Sequence, residues 1–148
     1  MEQYREKIEE YGHYYEKQGF SPVASRVMGY LFLHPEGEAT FEELVQYFGV
    51  SKSAISGAIK ILSAMEIITE KTKSGARKRY FKVTLERMFA PETVVKKYRE
   101  TRLILEDIRK LRKKKDEFAE NLAYTIAFLK ALENEFPRIH AQLKKDKK

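Results

Sequence analysis

Two short amphipathic segments joined by Gly49-Val50-Ser51 constrain this chain more than any other feature of its sequence. In the first, Thr40 followed three positions later by Glu43 is a capping-box signature. Phe41, Leu44, Val45 and Phe48 then form a compact apolar stripe, and Gly49 predicts the end of that helix. In the second, Ser51 opens a helix whose inner face is Ala54, Ile55, Ala58, Ile59, Leu62 and Met65. Two short helices so joined are the skeleton of a helix-turn-helix.

The flanks extend the pattern. Upstream, the spacing predicts a helix from Gln3 to Tyr15, with Tyr4, Ile8, Tyr11 and Tyr15 on one stripe and Gly19 as its stop. Ser21-Pro22 reads as an N-cap followed by proline at the first helical position. That second helix buries Val23, Val27, Tyr30 and Leu31 and is halted by Pro35. After Met65 the period falls from 3.6 to 2: Ile67 to Lys73 and Arg79 to Thr84 alternate, with a turn at Ser74 to Lys78. Helix, helix, turn, helix, hairpin is the order of a winged helix-turn-helix.

Beyond Pro91 there is no strand signal. Val94, Tyr98, Thr101, Leu105 and Ile108 form one helical seam. Phe118, Leu122, Thr125, Leu129, Leu132, Phe136, Ile139 and Leu143 form a second, of the kind that packs against other helices. Lys113-Lys114-Lys115 marks their connection, Pro137 is expected to kink or end the second helix, and Lys144 to Lys148 reads as a frayed basic tail. The predicted fold is mainly α with a small β-hairpin wing. It comprises an N-terminal dimerisation helix (1–20), a winged helix-turn-helix (21–90) and a C-terminal helical dimerisation region (91–148). Three amphipathic helices exceed what a small winged domain can cover, so a second copy of the chain is the simplest partner, a helical hairpin packed within the chain being the other arrangement. The dimer contacts are placed at Tyr4, Ile8, Tyr11, Leu122, Leu129, Leu132, Phe136 and Ile139.

Composition removes most other classes. The chain has no cysteine and three scattered histidines, His13, His34 and His140, so thiolate zinc sites, thiol nucleophiles and histidine metal sites are not expected. Its glycine turns lack phosphate-loop spacing, and no histidine neighbours a serine and an acid, so an enzyme and a cofactor are not expected. The charged start and the lack of a long apolar run point to a soluble, cytoplasmic protein.

The net charge of +7 is unevenly placed. Residues 1–50 are net acidic, whereas residues 51–90 carry 9 basic against 3 acidic side chains and residues 91–148 carry 16 against 10. The outer face of the Ser51 helix holds Ser51, Lys52, Ser53, Ser56, Gly57 and Lys60, with no acid before Glu66. A solvated helix usually mixes in glutamates that pair with its lysines. Small hydrogen-bonding groups plus lysines suit a helix entering the DNA major groove. The hairpin adds Lys73, Arg77, Lys78 and Arg79 among its cations. Protection of an exposed strand edge accounts for two or three lysines there, not for a cluster of six.

From Gly19 to Thr84 the sequence resembles the winged-helix domain of the MarR family of transcriptional regulators, in its GbsR-like branch. The resemblance is carried by Gly19-Phe20-Ser21-Pro22, Gly29-Tyr30-Leu31-Phe32-Leu33, Thr40-Phe41-Glu42-Glu43-Leu44, Val50-Ser51-Lys52-Ser53-Ala54-Ile55-Ser56 and Gly75-Ala76-Arg77-Lys78-Arg79-Tyr80-Phe81. It implies a homodimer that binds a pseudo-palindromic operator in double-stranded DNA and represses a nearby operon. It also implies a small-molecule effector, for which the sequence assigns no residues. Its groove-reading positions fall on Ser51, Lys52, Ser53, Ser56, Gly57 and Lys60, and its wing arginine on Arg77. Two departures stand out: the wing has no acid between Glu70 and Glu86, and Glu66 occupies a position where many relatives carry glycine. The competing reading is a winged helix serving protein interaction or RNA binding.

Overall fold

The computed structural model describes residues 1–72 and 78–146. The chain divides into two compact units, Met1–Met88 and Phe89–Lys148.

The first unit starts with a short 3₁₀ turn, Glu2–Tyr4, that leads into α1 (Arg5–Lys17). Gly19, with φ +94°, takes the left-handed turn that ends it. Ser21 then caps α2 (Pro22–Leu33), its Oγ accepting the Ala24 N–H at 3.3 Å, with Pro22 at the first helical position. The helix stops at His34, whose extended backbone obeys the proline that follows. A three-residue strand, β1 (Glu38–Thr40), precedes α3 (Phe41–Phe48). Thr40 Oγ1 accepts the Glu43 N–H at 3.2 Å, and Glu43 Oε2 accepts the Thr40 N–H at 2.6 Å, completing the capping box. These hydrogen bonds to the ionised form, the backbone N–H of Thr40 foremost, hold the Glu43 carboxyl below its ordinary pKa. Then come α4 (Lys52–Ala64), β2 (Ile68–Thr72), β3 (Arg79–Val83) and the single turn α5 (Leu85–Met88).

The sheet is antiparallel with order β1-β3-β2. Ala39 lies opposite Phe81 on one side of β3, and Glu70 lies opposite Phe81 on the other. The wing is therefore a three-stranded sheet and not the hairpin alone. β1 is set by its pairing with a strand some forty residues later in the chain, which no local pattern announces.

Ile8, Met28, Leu31, Leu44, Ile55, Leu62, Ile67 and Phe81 form the interior, each almost wholly buried. Ile8 was expected at a dimer interface. It lies at 1% exposure inside this core, because α1 packs against α2 and turns its aliphatic side chain inward. Gly12 makes that packing close: a Cβ on it would meet Arg26 Cγ at 2.9 Å, whereas one on Gly29 would reach the Ile8 carbonyl oxygen at 3.6 Å, an ordinary contact. Arg26 reaches back across the crossing to Glu9, Nε to Oε2 at 2.7 Å, and to Glu16. Tyr30 places its ring among Tyr47, Phe48 and His34, and burial raises the pKa of its hydroxyl.

In the second unit α6 (Pro91–Leu111) and α7 (Glu117–Lys145) pack against each other as a helical hairpin. Asp116 caps α7 by accepting the Ala119 N–H at 3.0 Å, and Arg112 pairs with Asp116 at 2.9 Å. Arg102 donates to Glu133 at 2.6 Å and to Glu106 at 2.7 Å, tying the helices together and lowering the Glu133 pKa. Leu122 was expected at a dimer interface and is buried instead, as is Ile126. The helix also runs through Pro137 to Lys145, so of the expected kink or end the end does not occur, and Lys144 and Lys145 are helical where a frayed tail was expected. Proline deletes one N–H donor, leaving the carbonyl four residues back, that of Glu133, without its helical bond. The turns on either side continue.

Candidate nucleic-acid interface

The geometry of α4 begins at Gly49, whose φ of +62° reverses the chain after α3. Ser51 caps α4, its Oγ accepting the Ala54 N–H at 3.2 Å, and lies 2.9 Å from Ser53 Oγ. Ile55, Ala58 and Leu62 are buried, with Ala54 and Ile59 half-buried beside them. Met65, expected on this inner face, is exposed because α4 ends at Ala64 and Met65 falls past the helical stripe.

The opposite face is open. Ser51, Lys52, Ser53, Ser56, Gly57 and Lys60 are all exposed and so lie together on the solvent side of one helix. No acid occurs between Ser51 and Met65. Among the described residues neither Lys52 nor Lys60 forms an ion pair, so both ammonium groups are available to a partner. Gly57 is an anomaly within this helix. Its φ is not left-handed, and a Cβ built on it meets nothing within 4 Å. A mid-helix glycine costs about 1 kcal/mol relative to alanine, and no packing within the chain offsets that cost.

The wing strands supply the rest. Lys78 and Arg79 are exposed at the start of β3. Arg79 lies 3.6 Å from Glu70 across the strands and over the Phe81 ring at 5.9 Å. Part of its charge is therefore already matched, by an acid–arginine pair that the spacing of acids in the wing did not lead one to expect. Lys73 and Arg77, assigned to DNA from the sequence, lie outside the described residues.

Glu66 resolves the second sequence departure. It is the non-glycine residue with left-handed backbone among the described residues, at φ +59°. The turn from α4 into β2 keeps its shape with glutamate where glycine would be unstrained.

Among the predicted dimer positions, Tyr11 and Ile139 are exposed, while Tyr4, Leu129, Leu132 and Phe136 are half-buried. Tyr124 and Phe128, which the regular seam passed over, are exposed on α7 with their rings stacked at 6.4 Å. At 100° per residue, Tyr124, Phe128 and Ile139 fall within about 60° of one another around the helix. An apolar pair four residues apart was the available signal. Among the described residues no group of three His, Asp or Glu side chains is placed to hold a metal ion. No helix there is long and apolar enough to cross a membrane.

No protein-family model and no curated protein sequence matches the chain. A solved structure described as a transcriptional regulator is 21% identical and aligns over 95% of this chain and 97% of its own, with a TM-score of 0.82. The transcriptional regulator Tm0710 from Thermotoga maritima is 20% identical over 92% of this chain and 93% of its own, at TM-score 0.45. Adhesin competence repressor (AdcR) from Streptococcus pyogenes is 20% identical over 81% and 84%, at 0.42. The first likeness shows the fold: mainly helical with a small three-stranded antiparallel sheet, the winged-helix architecture of a solved transcriptional regulator.

Proposed function

We propose that the chain is a homodimeric, sequence-specific DNA-binding regulator of transcription, of the MarR type in its GbsR-like branch, acting as a repressor at a pseudo-palindromic operator. In this reading residues 21–90 hold DNA. Residues 91–148, with Tyr11 on the N-terminal helix, hold the second subunit. The observation that carries it is the face of α4: six exposed residues, two unpaired lysines and no acid. Anchored hydroxyls and lysines of this kind reach base edges and phosphates in the major groove. Lys73, Arg77, Lys78 and Arg79 of the wing add phosphate or minor-groove contacts.

Exposed Tyr124, Phe128 and Ile139 support the dimer, since so many large apolar groups on one helix face gain from a partner. The effector implied by the family resemblance has no residues assigned to it.

Selection of bound duplexes from a random DNA pool tests this reading. It predicts an inverted repeat whose half-sites are about 34–36 Å apart, one helical turn. Recovery of no shared sequence, with binding to structured RNA or to protein instead, contradicts it.

A further inference from the structure

The tip of the α6–α7 hairpin carries a charge that the fold does not use. From Arg109 to Lys115 every residue but Leu111 is a cation, and no acid stands between Asp107 and Asp116. All of these cations are exposed. The C-terminal dipole of α6 favours Arg109 and Lys110. Asp116 takes Arg112 at 2.9 Å and Lys114 at 3.7 Å. Among the described residues Arg109, Lys110, Lys113 and Lys115 form no ion pair. Crowded like charges repel, and one carboxylate leaves this tip with a surplus that the hairpin itself does not neutralise.

The chemistry of the tip narrows its partner. Between Thr101 and Asn121 there is no hydroxyl, carboxamide or imidazole side chain, so the tip offers positive charge and little else. Bare cations suit a phosphate backbone, which is met without regard to sequence. An anionic lipid surface needs apolar groups to enter it as well. One face of the Phe118 ring is instead covered by the Arg112 guanidinium, 4.6 Å from its centre. Leu111 continues the α6 stripe of Ile104 and Ile108, at i, i+4 and i+7, and belongs with helix packing. We propose that this tip is a second, sequence-independent contact for the phosphates of duplex DNA, separate from the face of α4. The choice of duplex DNA as the polyanion rests on the reading of the chain as a DNA-binding regulator.

The experiment measures the affinity of the full chain for a random-sequence duplex across a salt series. One variant combines Arg109→Gln, Lys110→Gln, Lys113→Gln and Lys115→Gln, keeping Arg112, Lys114 and the Asp116 cap; circular dichroism checks its helicity. Its slope of log affinity against log salt is expected to fall by about 3 to 4 per protomer, since each lost phosphate contact removes about 0.9. Lys113→Gln with Lys115→Gln alone, which leaves α6 intact, is expected to lower the slope by about half as much. Lys110→Arg with Lys113→Arg and Lys115→Arg keeps the charge and should keep the wild-type slope. An unchanged slope in the folded glutamine variants overturns the proposal, as does loss of binding to phosphatidylserine vesicles with none on DNA. The sequence selected from a random pool is expected to be the same for wild type and the fourfold variant; a changed sequence overturns the proposal. Failure of wild type to select any sequence, with the slope still falling, contradicts the regulator reading and leaves the contact at the tip standing.

Discussion

The Thr84 hydroxyl donates to the Glu66 carbonyl oxygen at 3.0 Å, bonding the end of β3 to the one non-glycine left-handed residue among those described. The Thr84 N–H donates to the next carbonyl, that of Ile67, at 2.9 Å. Together these bonds fix the angle at which the wing leaves α4, so the placement of the wing cations depends on a strained residue. Relief of the left-handed penalty, offset by the greater freedom glycine has when unfolded, makes Glu66→Gly more stable than Glu66→Ala, which loses the same side chain, by about 0.5–1 kcal/mol. Loss of the hydroxyl in Thr84→Val is expected to cost about 1 kcal/mol. Urea denaturation of these variants measures this; a Glu66→Gly no more stable than Glu66→Ala contradicts the strain.

The capping box at α3 makes stability depend on pH. Because hydrogen bonds to Thr40 depress the Glu43 pKa below 4.5, its contribution is present above the unfolded value and is lost as pH falls through the folded one. Thr40→Ala is expected to cost about 1 kcal/mol at neutral pH. Glu43→Gln should be less stable than wild type at pH 7, the difference shrinking in acid. Chemical denaturation along a pH series checks this, and a difference independent of pH contradicts it.

Much of this arrangement was legible in the residues because local chemistry decides it: Ser21, Ser51, the Thr40–Glu43 box and Gly49 all act within one helical turn. What escaped depends on partners distant in sequence. β1 exists because Ala39 meets Phe81. The stripes holding Ile8 and Leu122 were correctly apolar, but periodicity says which side of a helix is buried and not what buries it. Both turned out to be covered within the protomer. Tyr124 and Phe128 were passed over because they lie to one side of the regular seam on α7.

Pro137 lies inside α7, where it removes one backbone donor. Pro137→Ala restores that bond to Glu133 and is expected to stabilise the second unit by about 1–3 kcal/mol. Higher helicity and a raised melting temperature by circular dichroism would register it; an unchanged melting temperature contradicts it.

The proposed dimer face of α7 is testable by charge. Tyr124→Glu with Phe128→Glu places two carboxylates where apolar contact is needed, while leaving buried Leu122 and Ile126 untouched. Sedimentation at micromolar concentration should show wild type as a dimer and the double variant shifted to monomer, its helicity retained. A monomeric wild type contradicts the assignment.

The most direct test of the account is the salt dependence of DNA binding by wild type and by the Lys52→Ala, Lys60→Ala variant. If the open face of α4 lies against the duplex, each lysine releases counterions from a phosphate, and losing both lowers the slope of log affinity against log salt by about 2 per protomer. The expected result is that reduction together with weaker binding to every sequence. An unchanged slope and affinity in the folded variant would place the DNA elsewhere and contradict the claim.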